Sequence, residues 1–492
     1  MMNAIRKIIK ICLFAGLVYS GLILWTVSDA QARVWTVYPV GKATEGANVI
    51  VGFSSIDWSK IQPGDVLEIK GSLGSFKESL VIAVRGTKTA PIIVRAVSGE
   101  APVIENSIVI TDSAYVHVEG LTVTGSAYAG IIIQKGSNHI TIADNDIHDN
   151  ALGIWIGNQA GDSNMVLNNR VYNNSTHGIA VDSVNCASGK ETVISSNEVY
   201  GNGHHGIEIL GSYYIVEGNV VYQNGAAVSG TSGIHIFSRS PQEDSGDHNV
   251  IRYNVVFQNK ESNGPDGNGI QLDQWCDYNE VYYNICFDND GAGISIYDSS
   301  DSKVYNNTLV GNMIDPGKSH PFKAELYLAS DVANNVNHVQ NVTVVNNILV
   351  AVRPGVPAIA VYSPVTGNPI SIGHNLLYHK AGDAIFYWGG TKGKDITTWN
   401  KKAAGGGDDL YGDPLFVSLQ GTTPSQVSDL QLKTGSPAID KGINLGQSRD
   451  ISGNNVPQGN GVDIGALEAL ASAPSPPETE KPAPPRNLKV IQ

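Results

Sequence analysis

Charge is scarce in this 492-residue chain: Asp, Glu, Lys and Arg together make up 16%, against roughly 25% in ordinary soluble proteins. Aromatic residues are 7% and hydrophobic residues 41%. So little bulky core material over such a length excludes a helical bundle or a coiled coil. Cysteine is nearly absent as well. Of four, only Cys186, Cys276 and Cys286 lie beyond the first 32 residues, with no CxxC and no Cys/His spacing, which excludes a disulfide framework and a zinc cluster of that kind. Positive charge is the scarcer sign, since the net charge is −14. A chain this acidic repels nucleic acid and anionic lipid, so neither is an expected partner. After the N-terminal segment no second long apolar run occurs, and no stable membrane span is expected in the mature chain.

What stands at the N-terminus is a basic region (Arg6, Lys7, Lys10), an uncharged run from Ile11 to Ser28, and Ala30-Gln31-Ala32. That order predicts a secretory signal over residues 1–32, cleaved after Ala32, and a mature chain that is secreted, periplasmic or at the cell surface. The alternative is an uncleaved anchor, because the apolar run approaches the length that spans a bilayer. The mature protein is expected to be a monomer.

Asparagine takes the place of charge. There are 42, of which 31 fall between Asn138 and Asn347, alongside 54 Gly. The Val, Ile, Tyr and Leu of the same stretch exclude disorder and point to a turn-dense β architecture. Two interlocked repeats make this specific. Gly-Ile-x-[Ile/Val/Leu] recurs at Gly130, Gly153, Gly178, Gly206, Gly233, Gly269 and Gly293. Asn-x-x-x-x-Asn recurs from Asn145/Asn150 to Asn307/Asn312, each copy enclosing an apolar pair such as Val171-Tyr172. A period this short cannot bury its own apolar face, so successive copies must stack strand on strand. The prediction is an all-β, single-stranded right-handed parallel β-helix. Its Gly-Ile-x-Ile strands should turn both aliphatics inward and the residue between them outward. The asparagines should occupy turns, bonded to backbone or to the asparagine of the next rung. The β-helix is expected over residues 33–390, with regular rungs over about 116–350. A Gly/Asp-rich element packing on the coil should follow over 391–470, then a disordered tail over 471–492, which holds six of the 22 prolines.

The rungs resemble the pectin lyase-like superfamily of right-handed β-helix proteins. Asp413-Pro-Leu-Phe, Gly435-Ser-Pro-Ala-Ile-Asp440, Asp450 and Val462-Asp463-Ile-Gly-Ala-Leu-Glu468 resemble the C-terminal element of secreted bacterial β-helix proteins of the choice-of-anchor type. The resemblance, which also takes in Pro63-Gly64-Asp65 and Ala90-Pro91-Ile92, implies binding or cleavage of extracellular polysaccharide. The chain lacks the paired Asp plus Arg-Ile-Lys of polygalacturonases, the Asp-Pro-His of alginate epimerases and the Trp-Ile-Asp-His of pectate lyases. No family's catalytic residues transfer position by position.

A candidate site follows from the stacking alone. Outward positions should form one column reading Ile132, Trp155, Ala180, Glu208, His235, Gln271, Ser295 and a neighbour reading Gln134, Gly157, Asp182, Leu210, Phe237, Asp273, Tyr297, with His177, His204 and His205 just ahead of the strands. Acidic groups, imidazoles and aromatics therefore converge on the central rungs. Asp182, Glu208, His235, Asp273 and Arg239 are the expected catalytic residues. Trp155, His177, His205, Phe237, Gln271, Trp275 and Tyr297 are the expected substrate contacts. The longest period begins at Gly233, and its inserts at 238–247 and 260–268 flank the His235 strand as cleft walls.

Three readings remain open at this level. In a glycoside hydrolase, Asp182 and Glu208, about 8 Å apart between Cα atoms on rung geometry, would be the carboxylate pair. In a polysaccharide lyase, Asp182, Glu208 and Asp273 would hold Ca²⁺ and His235 or Arg239 would be the base. In a non-enzymatic surface or matrix protein, the same face would bind glycans or serve adhesion. His148, where other rungs carry Tyr or Phe, is expected to be a packing residue. Cys286 should replace a core Val, and Asp440, Asp463 and Glu468 should be structural.

Overall fold

The computed structural model describes residues 32–42, 46–262, 264, 266–314, 321–403, 408–419, 421 and 424–470. The signal segment apart from Ala32, and the proline-rich tail, lie outside the described residues. The chain winds into three sheets of 14, 13 and 12 strands, parallel from period to period, with one antiparallel hairpin, Phe386–Trp388 with Thr391–Gly393, at the end of the 13-stranded sheet. One coil is typified by Ile207–Leu210, Tyr214–Glu217 and Val220–Tyr222, which contribute a strand to each sheet in turn. Parallel strands joined by same-sheet crossovers take the right-handed sense, and the fold is an all-β right-handed parallel β-helix. Among the described residues no helix is long and apolar enough to cross a membrane.

Strand alternation builds the core. Ile131, Ile133, Ile154, Ile156, Ile179, Val181, Ile207, Ile209, Ile234 and Ile236 are fully buried inside the coil, and Cys286 takes the place of Val256 one rung on. The repeating glycine marks the corner that leads into each strand of the 13-stranded sheet. A Cβ on Gly178 would stand 2.5 Å from Val199 Cγ1 and 2.6 Å from the Gly206 carbonyl oxygen, so no larger residue fits.

The asparagines form two ladders at the turns around the 12-stranded sheet. In one, Asn150, Asn174, Asn202, Asn224, Asn259, Asn289 and Asn312 each pass a backbone N–H and a side-chain Nδ2–H to the Oδ1 or carboxylate of the next rung. The other runs from Asn145 to Asn375 by the same pattern. A left-handed residue such as Asp149, Asn173 or Gln223 precedes each ladder position and swings the chain through the turn. Each ladder ends in a carboxylate, Glu325 and Asp409 respectively, which accepts the last pair of donors.

Beyond residue 350 the coil continues with Ile359–Val361, Ile370–Gly373, Leu376–His379 and Phe386–Trp388, and Leu410–Tyr411 still adds to the 12-stranded sheet. A short helix, Ile396–Lys402, capped by Asp395, inserts the fully buried Trp399 against the last rungs. The described residues of the C-terminal segment pack on the outer face of the 12-stranded sheet, where Phe416, Leu430, Ile464 and Leu467 join Phe257, Phe287 and Val350 in one apolar cluster. That sheet's outer face also carries a stack of rings, His148, Tyr172, Tyr200, Tyr222, Phe257 and Phe287, so His148 packs as its position implied. Asp440, Asp463 and Glu468 accept backbone N–H groups within the C-terminal element.

Candidate active site

The register of the 13-stranded sheet sets Ile132, Trp155, Ala180, Glu208, His235, Gln271 and Ser295 opposite one another in the expected order. The column continues through Tyr327, Ala360 and Tyr387. Although these side chains point out of the coil, His235 is only 6% exposed and Gln271 only 4%. The two inserts lie beside different parts of this face. Asp266, in the second insert, shares a cleft with Gln271, and Arg239 and Glu243, in the first, close over Asp182.

At the centre lies a line of alternating charges. Asp273 Oδ2 is 3.0 Å from His235 Nε2, and His235 Nδ1 is 3.4 Å from Glu208 Oε1. The other Glu208 oxygen is 3.1 Å from His177 Nε2, which in turn lies 2.7 Å from His204 Nδ1. His205 stacks on His235 with ring centroids 4.2 Å apart, and its Nδ1 accepts the Ser232 N–H at 2.9 Å. Burial disfavours charge on both Glu208 and His235, but each is overruled by its partners. Hydrogen bonds from His177 and His235 hold the Glu208 carboxyl well below the usual range, and those to Asp273 and Glu208 lift His235 to about 10. His235 is therefore a cation clamped by two carboxylates rather than a free base. Burial, then the charges of neighbouring imidazoles, lowers His204 to about 4 and His205 well below the ordinary histidine value, so both are neutral at pH 7.

Beside this line opens a cleft of about 300 Å³, lined by Phe237, Asp266, Gln271, Asp273, Gln274, Tyr297, Pro321, Phe322 and Tyr327. Two carboxyl groups face it, Asp266 and Asp273. Burial, reinforced by the charge of Asp273, raises Asp266 to about 7, while Asp273 is paired with the His235 imidazolium. The cleft's aromatic walls offer flat apolar faces to a sugar ring.

The expected site residues divide accordingly. Glu208, His235, Asp273, His177 and His205 come together, and Phe237, Gln271 and Tyr297 reach the cleft. Asp182 does not join them. Its carboxylate is bound by Arg239, which also pairs with Glu243 at 2.9 Å, and both are engaged in that surface cluster. Asp182 and Arg239 are thus paired with each other, apart from the line through Glu208, His235 and Asp273. Among the described residues the groups with ligand atoms close enough for one metal ion are His177, His204 and His205, and His205, Glu208 and His235, without Asp182. Trp155 lies two rungs from Glu208 against Tyr128, and Trp275 is outside the cleft lining, its backbone N–H donating to the Asp298 carbonyl. Asp266, Phe322 and Tyr327 also line the cleft, beyond the residues expected from the repeat. Asp266 sits in the 260–268 insert, whose length beside the His235 strand is its only trace in the sequence. Glu325-Leu-Tyr-Leu lacks the leading Gly-Ile that would have extended the column.

A family model described as a right-handed β-helix region matches residues 101–243. No curated protein matches the chain in sequence. Among solved structures, a family 6 polysaccharide lyase from Pseudopedobacter saltans is similar at 15% identity and a TM-score of 0.50, over 72% of this chain and 89% of that one. The pectate lyase Pel9A is 16% identical with a TM-score of 0.45, over 89% and 96%. The A-module of the mannuronan C-5 epimerase AlgE4 from Azotobacter vinelandii is 14% identical with a TM-score of 0.48, over 71% and 91%. At such identities the likeness is one of fold.

Proposed function

We propose that the protein is an exported carbohydrate-active β-helix protein that binds an extracellular polysaccharide in the aromatic cleft and hydrolyses it. The observation that carries the reading is the pairing, in one cleft, of an Asp266 raised to about 7 with an Asp273 held by a charged His235. Asp266 delivers its proton to the glycosidic oxygen as the bond from C1 breaks, and Asp273 takes a proton from the water whose oxygen attaches to C1. Glu208 acts through His235, keeping that imidazole charged and turned toward Asp273.

A lyase must neutralise a uronate carboxylate and then remove the adjacent proton. Two cations beside the cleft, His235 and Arg239, are already paired with Glu208 and Asp273 and with Asp182 and Glu243. The acidic cleft therefore favours a neutral glycan over a polyuronate. Export rests on the basic, apolar and Ala-x-Ala order of the first 32 residues. Digestion of polysaccharides in ¹⁸O-labelled water tests the chemistry. Hydrolysis places one labelled oxygen at the new reducing end; an unlabelled, unsaturated product would refute it.

A further inference from the structure

At the opening of the coil, Asp65 is only 2% exposed, yet its carboxylate accepts from five donors. Burial would raise it, but hydrogen bonds from Gln62, Arg33 and Trp35 overrule burial and hold it below the ordinary aspartate value, so it is ionised at neutral pH. The strand register brings these donors together. Val34–Tyr38 runs parallel to Val66–Ile69 with Val34 opposite Val66, so the residues just ahead of the two strands, Arg33 and Asp65, stand side by side. The Arg33 backbone N–H reaches Asp65 Oδ1 at 3.0 Å, and the guanidinium folds back to bring Nη2 within 2.8 Å of Oδ2. Trp35 Nε1 and the Gln62 N–H complete the Oδ2 set at 3.1 and 2.9 Å. Ala32, one residue earlier, is exposed and makes no hydrogen bond with another described residue.

The Arg33 nitrogen is also the atom that cleavage after Ala32 would free. Water adds across the Ala32–Arg33 bond, its oxygen ending in the Ala32 carboxylate and its two hydrogens on the Arg33 nitrogen, which becomes an ammonium. A full positive charge then stands 3.0 Å from a buried carboxylate. The cation paired with that carboxylate among the described residues, the Arg33 guanidinium, is 40% exposed. The other charged groups at this end are engaged elsewhere, Lys60 with Asp57 at 3.1 Å and Glu68 with Arg95 at 2.9 Å. A cut after Ala30, where Ser28 and Ala30 also offer small residues, would leave an uncharged amide at the Arg33 nitrogen.

We propose that Asp65 is a receptor for the mature N-terminus: the α-ammonium of Arg33, released by removal of residues 1–32, closes an ion cluster on Asp65 that ties down the first strand of the β-helix. Processing for export and completion of the fold are thereby coupled. The coupling needs the cut at this one bond, because each added residue carries the charge up to about 3.6 Å further along the chain. The proposal rests on the export part of the functional reading and not on polysaccharide cleavage.

Two experiments test it. The full-length chain is secreted from a bacterial host and its N-terminus sequenced. It should begin at Arg33; any other first residue overturns the proposal, and a retained N-terminal segment overturns cleavage as well. Separately, the chain 33–492, released from a fusion with no residue left over, is compared with the chain 32–492. At pH 8 its α-amine should be acylated about fivefold more slowly, read by mass spectrometry of the N-terminal peptide, because the ion pair keeps it protonated. Its Tm should be the higher of the two at pH 6.5. A raised amine gives its full stabilisation below the ordinary α-amine value and loses it as pH rises through the folded value, so the gap should close by about pH 10.5. Asp65→Asn should abolish both differences, and if that variant does not fold, the two wild-type chains decide alone. Equal acylation rates, or equal Tm at pH 6.5, overturn the receptor while leaving export standing.

Discussion

Replacing Asp266 by asparagine separates catalysis from stability, because the two should move in opposite directions. In the folded protein burial and the charge of Asp273 raise the Asp266 carboxyl from 3.8 to about 7. A raised carboxyl costs nothing below about pH 4, where folded and unfolded chains are both protonated. Between pH 4 and 7 the unfolded chain ionises while the folded one does not, and the penalty grows until it levels off above pH 7. Three decades in acidity correspond to an upper limit of about 4 kcal/mol, and relaxation of the half-buried cleft makes about 2–4 kcal/mol the expected range. Asp266→Asn should therefore raise Tm at pH 8 and leave it nearly unchanged at pH 4. The same substitution removes the proton donor and should lower kcat by about 10²–10⁴-fold. In the wild type, kcat/KM should fall as pH rises through about 7, the value of the acid. Thermal unfolding at both pH values and initial rates of reducing-end release measure the two effects. An Asp266→Asn protein that is less stable at pH 8, or as active as the wild type, would refute the reasoning.

Other substitutions probe the neighbouring groups. His235→Gln leaves Glu208 and Asp273 without the cation between them, and should cost about 3–5 kcal/mol at pH 7 together with most of the activity, read by unfolding and by turnover. Since His235 is raised to about 10, its contribution is complete below about pH 6.5 and is lost as pH rises toward 10, so the gap in Tm between wild type and His235→Gln should narrow from pH 7 to pH 10. Asp182→Asn should change kcat by no more than about threefold, because Asp182 is engaged with Arg239 outside the cleft; a loss of 100-fold would return it to the chemistry. Asn224→Ala strips the acceptor from two Asn202 donors inside the ladder and should lower stability by about 2–4 kcal/mol, measured against Asn158→Ala on the surface.

The sequence carried the register of the coil further than it carried the chemistry. Gly178 and its equivalents are legible because a close-packed corner admits no side chain, and the next two aliphatics then have only one face to occupy. That placed Glu208, His235 and Gln271 in their column residue by residue. The pairing of Asp182 was not legible, since it depends on where the Arg239 insert folds, and an insert has no period. Asp266 was hidden for the same reason. The charge on His235 was also beyond the sequence. Histidine beside one carboxylate reads as a base, and only the second, Asp273, two residues along the next strand, turns it into a fixed cation. The asparagines that replace charge in the composition serve the turns, so the few ionisable groups facing the cleft stand out.

The most direct test of the account is the product formed when the full-length chain and its Asp266→Asn variant are incubated with neutral polysaccharides and with polyuronates, with reducing ends and unsaturated-uronate absorbance followed separately. The account predicts reducing ends from a neutral polysaccharide, no unsaturated product, and loss of release in the variant. Unsaturated uronate, or no product from any polysaccharide, would contradict it.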